Sequence, residues 1–381
     1  MKLDRALYTG REQTYFKHLF LMKYLERGAI IIGRWADAFT FVDGFSGPWQ
    51  TRSEELKDTS FAIALQELRQ ARDVARDKFK RDMKPRAYFI EKDGPAYAQL
   101  RKFADEQKDV EIGTRNSEFE DAIPDIVEFV RGGGTSNFTF VFVDPKGWTG
   151  FALKRLAALL KLANVEALIN FQTGFIKRFI TLSREEFEEL FGDTAPLDEA
   201  GRLAAEERED YLIFEYAKRV KAAGGFAHVC AAAVPRPDIE KSHFHLIYVT
   251  RHPKGVEVFK NAERACVEVM PEIRGKAKTR KREERTGQLE LPGTMAPASR
   301  YIDERRDHYR GIAQHTIRQR LMATGRLPYD EAWAMAMSFP LVWESDLKEW
   351  VREWGVRIEG LGPSERTPKR DSGHVLVVKK S

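Results

Sequence analysis

Short apolar runs alternate with amphipathic stretches along the first half of the chain. The apolar runs predict five strands, AFTFVD (38–43), PRAYFIEKD (85–93), DVEIGTRNSEF (109–119), SNFTFVFVDPKGW (136–148) and VEALINFQTGF (165–175). Apolar residues at helical spacing predict helices at about 14–34, 58–79, 94–107, 121–134 and 152–163. This alternation predicts an α/β fold with a largely parallel sheet and helices on both faces.

The pattern changes after residue 175. Residues 176–223 are helical and highly charged, which predicts an insertion into the sheet domain. The apolar runs 225–235 and 243–252 predict an antiparallel hairpin that closes the sheet edge and brings the strand number to seven. From there to about residue 300 the sequence stays polar and is punctuated by glycine and proline, without a predicted element.

A different order of elements begins near residue 299. Three helical segments, the last at 341–355, precede two short strands in VRIEGLG and GHVLVVKK that bracket a polar loop. Helices followed by a two-stranded wing are typical of a winged helix-turn-helix. A chain of 381 residues also favours two domains. We therefore predict a Rossmann-like domain at 1–290, with its insertion at about 176–223, and a winged-helix domain at 291–381.

Composition narrows the class of protein. No apolar run approaches the roughly 18 residues of a membrane span, and the first residues lack the apolar segment of a signal peptide. The two cysteines, Cys230 and Cys266, provide neither a disulfide framework nor a cysteine zinc site. These features predict a cytoplasmic protein without a membrane partner.

The net charge of +5 is small, but basic residues concentrate in RGKAKTRKREERTG (274–287). This stretch is either a solvated helix or linker face, or a segment that contacts nucleic-acid phosphates. The second interpretation assigns phosphate contacts to Arg274, Lys276, Lys278, Arg280, Lys281 and Arg282.

Polar and glycine residues mark the strand exits. The first exit carries Asp43, Gly44, Phe45, Ser46 and Gly47; the next three carry Glu91, Asn116 and Asp144. Open parallel sheets bind ligands outside the carboxyl ends of their strands. An acid after the second strand suits the two hydroxyls of a ribose, and a glycine turn lets a nucleoside approach the backbone. The pattern predicts a nucleoside cofactor, the alternative being that the glycines only form a turn.

The first turn lacks the signatures of a phosphate site. DGFSGPW has neither the three glycines of G-x-G-x-x-G nor a helix directly after it, and no Walker lysine is present. An uncharged linker suits this turn better, so S-adenosyl-L-methionine is the predicted cofactor, with Asp43 available for its amino group.

The fourth exit, FVDPKGW, resembles the [D/N/S]-P-P-[Y/F/W] box of amino-group methyltransferases. In that box, the first side chain and a backbone carbonyl accept hydrogen bonds from the target amine, and the aromatic residue stacks on the base. Asp144, Pro145 and Trp148 provide these parts here, although Lys146 and Gly147 replace the second proline and add one residue. The alternative is that Asp144 is a strand-end turn residue.

Four motifs, FVDGFSGPW, FVDPKGW, ALINFQTGFIKRF and HLIYVTRHPKG, together resemble the three-Cys-motif partner protein family of bacteria and phages over most of the chain. The first two are also similar to the ribosomal-RNA adenine-N6 methyltransferases. The resemblance implies a class I S-adenosylmethionine-binding fold, with Asp43, Gly44 and Gly47 at the cofactor turn and Asp144 and Pro145 in the catalytic box. It further implies that Lys17 and His18 lie near the methionine end of the cofactor. Trp49 replaces the last glycine of the family's usual turn.

These features predict a methyltransferase that acts on an exocyclic amine of a DNA or RNA base, flipped out of its helix to stack on Trp148. One alternative is a non-catalytic nucleic-acid-binding adaptor that keeps a degenerate methyltransferase fold and acts with a partner protein encoded nearby. A third hypothesis is a metal-dependent nuclease, in which Asp43, Glu91 and Asp144 converge on Mg²⁺.

Overall fold

The computed structural model describes residues 3–47, 51–145, 147, 151–172, 183–239, 242–287 and 300–379. The chain divides into two compact units, the first of residues 1–229 and 234–298, the second of residues 230–233 and 299–381. The domain boundary predicted at residue 290 lies outside the described residues.

A seven-stranded sheet dominates the first part of the chain. Its strands are β1 (Ala38–Asp43), β2 (Lys84–Ile90), β3 (Glu111–Arg115), β4 (Asn137–Val143), β5 (Val165–Phe171), β6 (His228–Pro235) and β7 (Ser242–Thr250). They are ordered β3-β2-β1-β4-β5-β7-β6; β1 to β5 are parallel, and β7 is antiparallel to β5. This is the strand order of the class I methyltransferase fold, so the predicted fold class is confirmed. The order reverses between β1 and β4, where open sheets of this kind bind ligands.

Helices connect these strands. Their bounds are α1 (Glu12–Ile32), α2 (Ser60–Phe79), α3 (Gly94–Glu106), α4 (Phe119–Gly132), α5 (Leu153–Leu160), α6 (Arg184–Phe191), α7 (Ala195–Arg202), α8 (Ala205–Gly224) and α9 (Pro253–Thr286). Side-chain caps fix the starts of α2 and α3, because Thr59 accepts a hydrogen bond from the Ala62 N–H and Asp93 accepts one from the Ala96 N–H. Residues of β1, β4 and β5 are buried throughout, as expected for strands covered on both faces.

The long helix α9 occupies a segment after residue 252 for which no element was predicted. Pro253 lies in its first turn, where a proline removes no helical hydrogen bond. Val256, Phe259 and Cys266 are buried on one side of the helix, and the Phe259 ring lies 4.9 Å from the Phe20 ring of α1. This packing outweighs the polar composition of the segment. No helix in the described ranges has the length and apolar character that a membrane crossing requires.

The second unit consists mainly of α10 (Tyr301–Thr324), β8 (Arg326–Pro328), α11 (Tyr329–Ser338), α12 (Glu344–Glu353), β9 (Arg357–Glu359) and β10 (Val375–Val377). The three short strands form an antiparallel sheet in the order β8-β10-β9, and β8 was not predicted. Trp343 and Trp350 are buried in this unit. The assignment of this unit as a winged helix stays a prediction.

Candidate functional site

A cavity of about 480 Å³ lies at the carboxyl ends of β1, β2 and β4, at the point where the strand order reverses. Eight residues predicted from the sequence line it, Lys17, His18, Gly44, Phe45, Gly47, Glu91, Asp144 and Pro145. The structure therefore brings together residues from α1 and from three strand exits that are far apart in sequence. Trp148 lies outside the described residues.

Asp43 and Ser46 stabilise the turn after β1 from inside the protein. Both residues are fully buried and do not line the cavity. Asp43 Oδ1 accepts a hydrogen bond from the Phe45 N–H (3.1 Å), and Oδ2 accepts one from Ser60 Oγ (2.5 Å). Burial raises the pKa of Asp43 to about 7, and the Asp144 and Glu91 carboxylates add to the rise. In the structure both Asp43 oxygens therefore stabilise the turn, and its predicted contact with the cofactor's amino group stays a prediction.

Gly44 is required by packing. A Cβ atom on Gly44 would lie 2.9 Å from the nearest ring carbon of Phe119, the first residue of α4. The Gly44 N–H donates to the Phe142 carbonyl (3.0 Å), and the Ser46 N–H donates to the Ile90 carbonyl (2.8 Å). The turn is therefore fixed between β4 and β2, with its backbone at the cavity wall.

Glu91 directly follows β2 and lines the same cavity, although little of it is exposed. Its Oε1 accepts a hydrogen bond from the Asp93 N–H (2.7 Å). Asn116, which was predicted to bind the cofactor, is exposed and does not line the cavity; its amide donates to the Glu91 carbonyl (2.7 Å). In the structure Asn116 thus supports the position of Glu91.

Asp144, at the exit of β4, forms an ion pair with Lys17. Lys17 Nζ lies 2.8 Å from Oδ1 and 2.6 Å from Oδ2, and both side chains are about 15% exposed (15% for Lys17, 16% for Asp144). Asp144 Oδ1 also accepts a hydrogen bond from Asn170 Nδ2 (2.6 Å), and the Pro145 carbonyl accepts one from Gln172 Nε2 (2.7 Å). Both hydrogen-bond acceptors of the predicted box therefore already have N–H donors within the protein.

His18 lies beside Lys17 but is buried, and its Nδ1 lies 3.0 Å from the Tyr8 hydroxyl. Burial, followed by the Lys17 charge, lowers the pKa of His18 to about 3. The imidazole is therefore neutral at physiological pH.

Sequence reasoning missed several residues of this site. Asn170 and Gln172 belong to the ALINFQTGF segment, to which no role was assigned; their signal is a pair of amides at a strand exit. On the opposite wall, Asp58 accepts hydrogen bonds from Arg11, from the Thr51 hydroxyl and from the Arg52 N–H (3.0 Å). These bonds fix the segment that leads into α2.

The basic stretch 274–287 forms the end of α9. Arg274 is buried, with its guanidinium donating to the carbonyls of Arg236 and Ile239, and this burial contradicts the predicted phosphate contact. Lys276 pairs with Glu272, Arg280 with Glu12, and Lys281 with Asp238. Lys278 is half-buried and Arg282 is exposed.

The described residues contain no group of three or more His, Cys, Asp or Glu side chains that could hold a metal ion. Asp43, Glu91 and Asp144 therefore do not form the Mg²⁺ site of the nuclease hypothesis.

No family model and no curated protein matches this chain. The solved structures that match include the following three, all at low identity and low TM-score. The O-methyltransferase from Bacillus cereus in complex with SAH is 11% identical, with a TM-score of 0.33 over 66% of this chain and 92% of that one. A putative methyltransferase from Thermobifida fusca is 11% identical, with a TM-score of 0.30 over 66% and 88%. Loganic acid methyltransferase with SAH is 8% identical, with a TM-score of 0.31 over 75% and 92%. The strand order β3-β2-β1-β4-β5-β7-β6 alone identifies the fold.

Proposed function

We propose that the cavity binds S-adenosyl-L-methionine and that the protein methylates an exocyclic amine of a nucleic-acid base. The observation that carries the proposal is the convergence of the glycine turn, Glu91 and the Asp144–Pro145 pair on one cavity at the switch point of the sheet. The volume of about 480 Å³ falls within the range of small-molecule sites.

The residues of the cavity fit this cofactor. Glu91 is a carboxylate for the ribose hydroxyls, and Ile90 and Phe119 provide an apolar surface beside it for the base. The small Gly44 leaves the turn backbone accessible to the linker. When bound, S-adenosylmethionine supplies the methyl group: the amine nitrogen bonds to the methyl carbon, the carbon–sulfur electron pair stays on sulfur, and one nitrogen proton is lost to solvent.

The protein's contribution to this reaction is positioning. Asp144 and the Pro145 carbonyl lie side by side, and each oxygen has more than one lone pair. An amine that donates one N–H to each acceptor has its own lone pair directed away from both. Holding two reactants in this orientation accounts for a large part of the barrier reduction in such transfers, and no strong base is needed.

The Lys17–Asp144 ion pair favours a second candidate function. An incoming amine has to share Asp144 with the Lys17 ammonium or displace it. If the Lys17–Asp144 pair never opens, no amine reaches Asp144. The protein is then a nucleic-acid-binding adaptor with a degenerate site, which acts with a partner protein encoded nearby.

Two measurements separate these functions. Calorimetry tests binding of S-adenosylmethionine, and radiolabelled methyl transfer is measured with DNA, RNA and protein pools. We expect Asp144→Ala to abolish transfer while cofactor affinity stays within a few-fold, and Asp105→Ala, at an exposed carboxylate of α3, to change neither. Transfer retained in Asp144→Ala removes the catalytic assignment, and an adaptor shows no transfer in the unsubstituted protein.

Nucleic-acid contact at α9 is the other part of the proposal. Exposed Arg282 is a candidate for a phosphate contact, whereas Arg274 is not. We expect Arg282→Met to reduce the salt dependence of RNA or DNA binding by about one unit of log–log slope. Arg274→Met is expected to lower stability by about 1–3 kcal/mol instead, because the Arg236 and Ile239 carbonyls lose their donor. Equal binding losses in both variants contradict this distinction.

A further inference from the structure

The exit of β5 carries two amides at alternate positions, Asn170 and Gln172, with Phe171 between them. Alternate residues of a strand point to the same face, so both amides face one side while the Phe171 ring is buried among the core aromatics. The parallel register pairs Val143 of β4 with Ile169 of β5. Asp144 and Asn170 directly follow this pair, so the register of the two strands makes them neighbours.

Each amide holds one acceptor of the β4 exit. Asn170 Nδ2 donates to Asp144 Oδ1 (2.6 Å), and Gln172 Nε2 donates to the Pro145 carbonyl (2.7 Å). A carboxylate and a carbonyl only accept hydrogen bonds, so each amide has to present its nitrogen. The same two atoms, Asp144 Oδ and Pro145 O, are those to which the proposed function assigns the target amine.

Because the Asn170 amide directs its nitrogen to Asp144, its oxygen is left in a buried position. The side chain is 1% exposed, and its Oδ1 is buried without a hydrogen-bond partner in the described part of the chain. A buried acceptor that lacks a partner costs about 1–3 kcal/mol. An apolar residue of the same size avoids this cost, but it removes the N–H donor from Asp144 Oδ1.

We propose that Asn170 and Gln172 are positioning residues, which fix the lone pairs of Asp144 and Pro145 for the target amine. The inference rests on the proposed function and adds two residues to it. Neither amide touches the reacting atoms in this scheme; each acts through the acceptor that it holds.

The test compares shape-conserving variants that remove the N–H donors. Asn170→Leu and Gln172→Met are assayed by radiolabelled methyl transfer to the pool that the unsubstituted protein labels. We expect kcat to fall 10- to 100-fold in each, because small misplacements at a reacting centre have effects of this size. The affinity for S-adenosylmethionine and the KM for the acceptor are expected to stay within threefold. Gln66→Met, at an exposed amide of α2, is the matched control and is expected to keep the full rate.

A structural role predicts a different result, namely a lower unfolding temperature without a selective loss of kcat. If Asn170→Leu fails to fold, Gln172→Met decides the test, since Gln172 is only half-buried at the cavity wall. Variants that keep kcat within twofold, while Asp144→Ala is inactive, overturn this inference and leave the proposed function standing. An unsubstituted protein that labels no pool overturns both.

Discussion

The buried carboxyl of Asp43 predicts an unusual pH dependence of stability. Asp43 lies under the turn after β1, and burial raises its pKa from 3.8 to about 7. In the unfolded chain the group keeps its ordinary pKa. Between about pH 4 and pH 7 the unfolded state has therefore lost this proton while the folded state still holds it.

The sign of the effect follows from this difference in bound protons. The folded state binds more protons, so the contribution of Asp43 to the free energy of unfolding falls as the pH rises through this window. One pKa unit corresponds to 1.36 kcal/mol, which gives a loss of roughly 4 kcal/mol between pH 4 and pH 8. The loss is nearly complete above about pH 8, one unit beyond the folded pKa.

Asp43→Asn should remove this loss. An asparagine fits the same contacts, because its Oδ1 accepts from the Phe45 N–H and its Nδ2 donates to Ser60 Oγ. We expect the variant to be more stable than the unsubstituted protein by roughly 1–2 kcal/mol at pH 5 and by roughly 4 kcal/mol at pH 8.

Urea unfolding followed by circular dichroism at pH 5 and pH 8 measures the effect, with Asp105→Asn as an exposed control. If Asp43→Asn differs from the unsubstituted protein by the same free energy at the two pH values, Asp43 does not titrate with a raised pKa in the folded protein. The same variant also tests the cofactor contact predicted from the sequence. Because both Asp43 oxygens are bonded inside the protein, its affinity for S-adenosylmethionine should stay within about threefold.

Two further predictions concern the walls of the cavity. Gly44→Ala should lower the free energy of unfolding by about 1–3 kcal/mol in urea titrations, because the new Cβ atom would meet the buried Phe119 ring at 2.9 Å. Gly94→Ala, where nothing lies within 4 Å of the added atom, is the control, and equal effects in the two variants contradict the packing argument. Glu91→Ala should weaken calorimetric binding of S-adenosylmethionine about 10- to 100-fold, as expected for loss of hydrogen bonds to a charged acceptor. Glu118→Ala, at an exposed carboxylate of the same cavity, should change it less than threefold; unchanged affinity in Glu91→Ala removes the ribose contact.

The centre of the sheet was predictable because β1, β4 and β5 are buried on both faces. The consecutive apolar residues of β1, β4 and β5 leave no alternation that could be confused with an exposed strand. α9 was not predictable in the same way, because Pro253 and Pro271 suggest irregular structure in sequence. Its helical state depends on packing against α1, which lies more than 200 residues earlier in the chain.

In the candidate site, too, some features could be predicted from the sequence and others depend on tertiary packing. Strand exits are visible in sequence, so Glu91 and Asp144 were predicted at one edge of the sheet. The partners of a side chain are not visible there. The pairing of Lys17 with Asp144 depends on how α1 crosses the sheet, and Asp43 Oδ2 receives its hydrogen bond from Ser60 of α2. For the same reason Arg274 looked like a phosphate contact until its guanidinium was found inside the protein.

A crystal structure of the protein soaked with S-adenosyl-L-methionine would show whether the cavity binds the cofactor. We expect the ligand between β1 and β4, with its ribose hydroxyls at Glu91, its linker along Gly44, and its methionine end toward Lys17 and Asp144. Clear ligand density at any other place, or no density in this cavity at saturating concentration, contradicts this expectation.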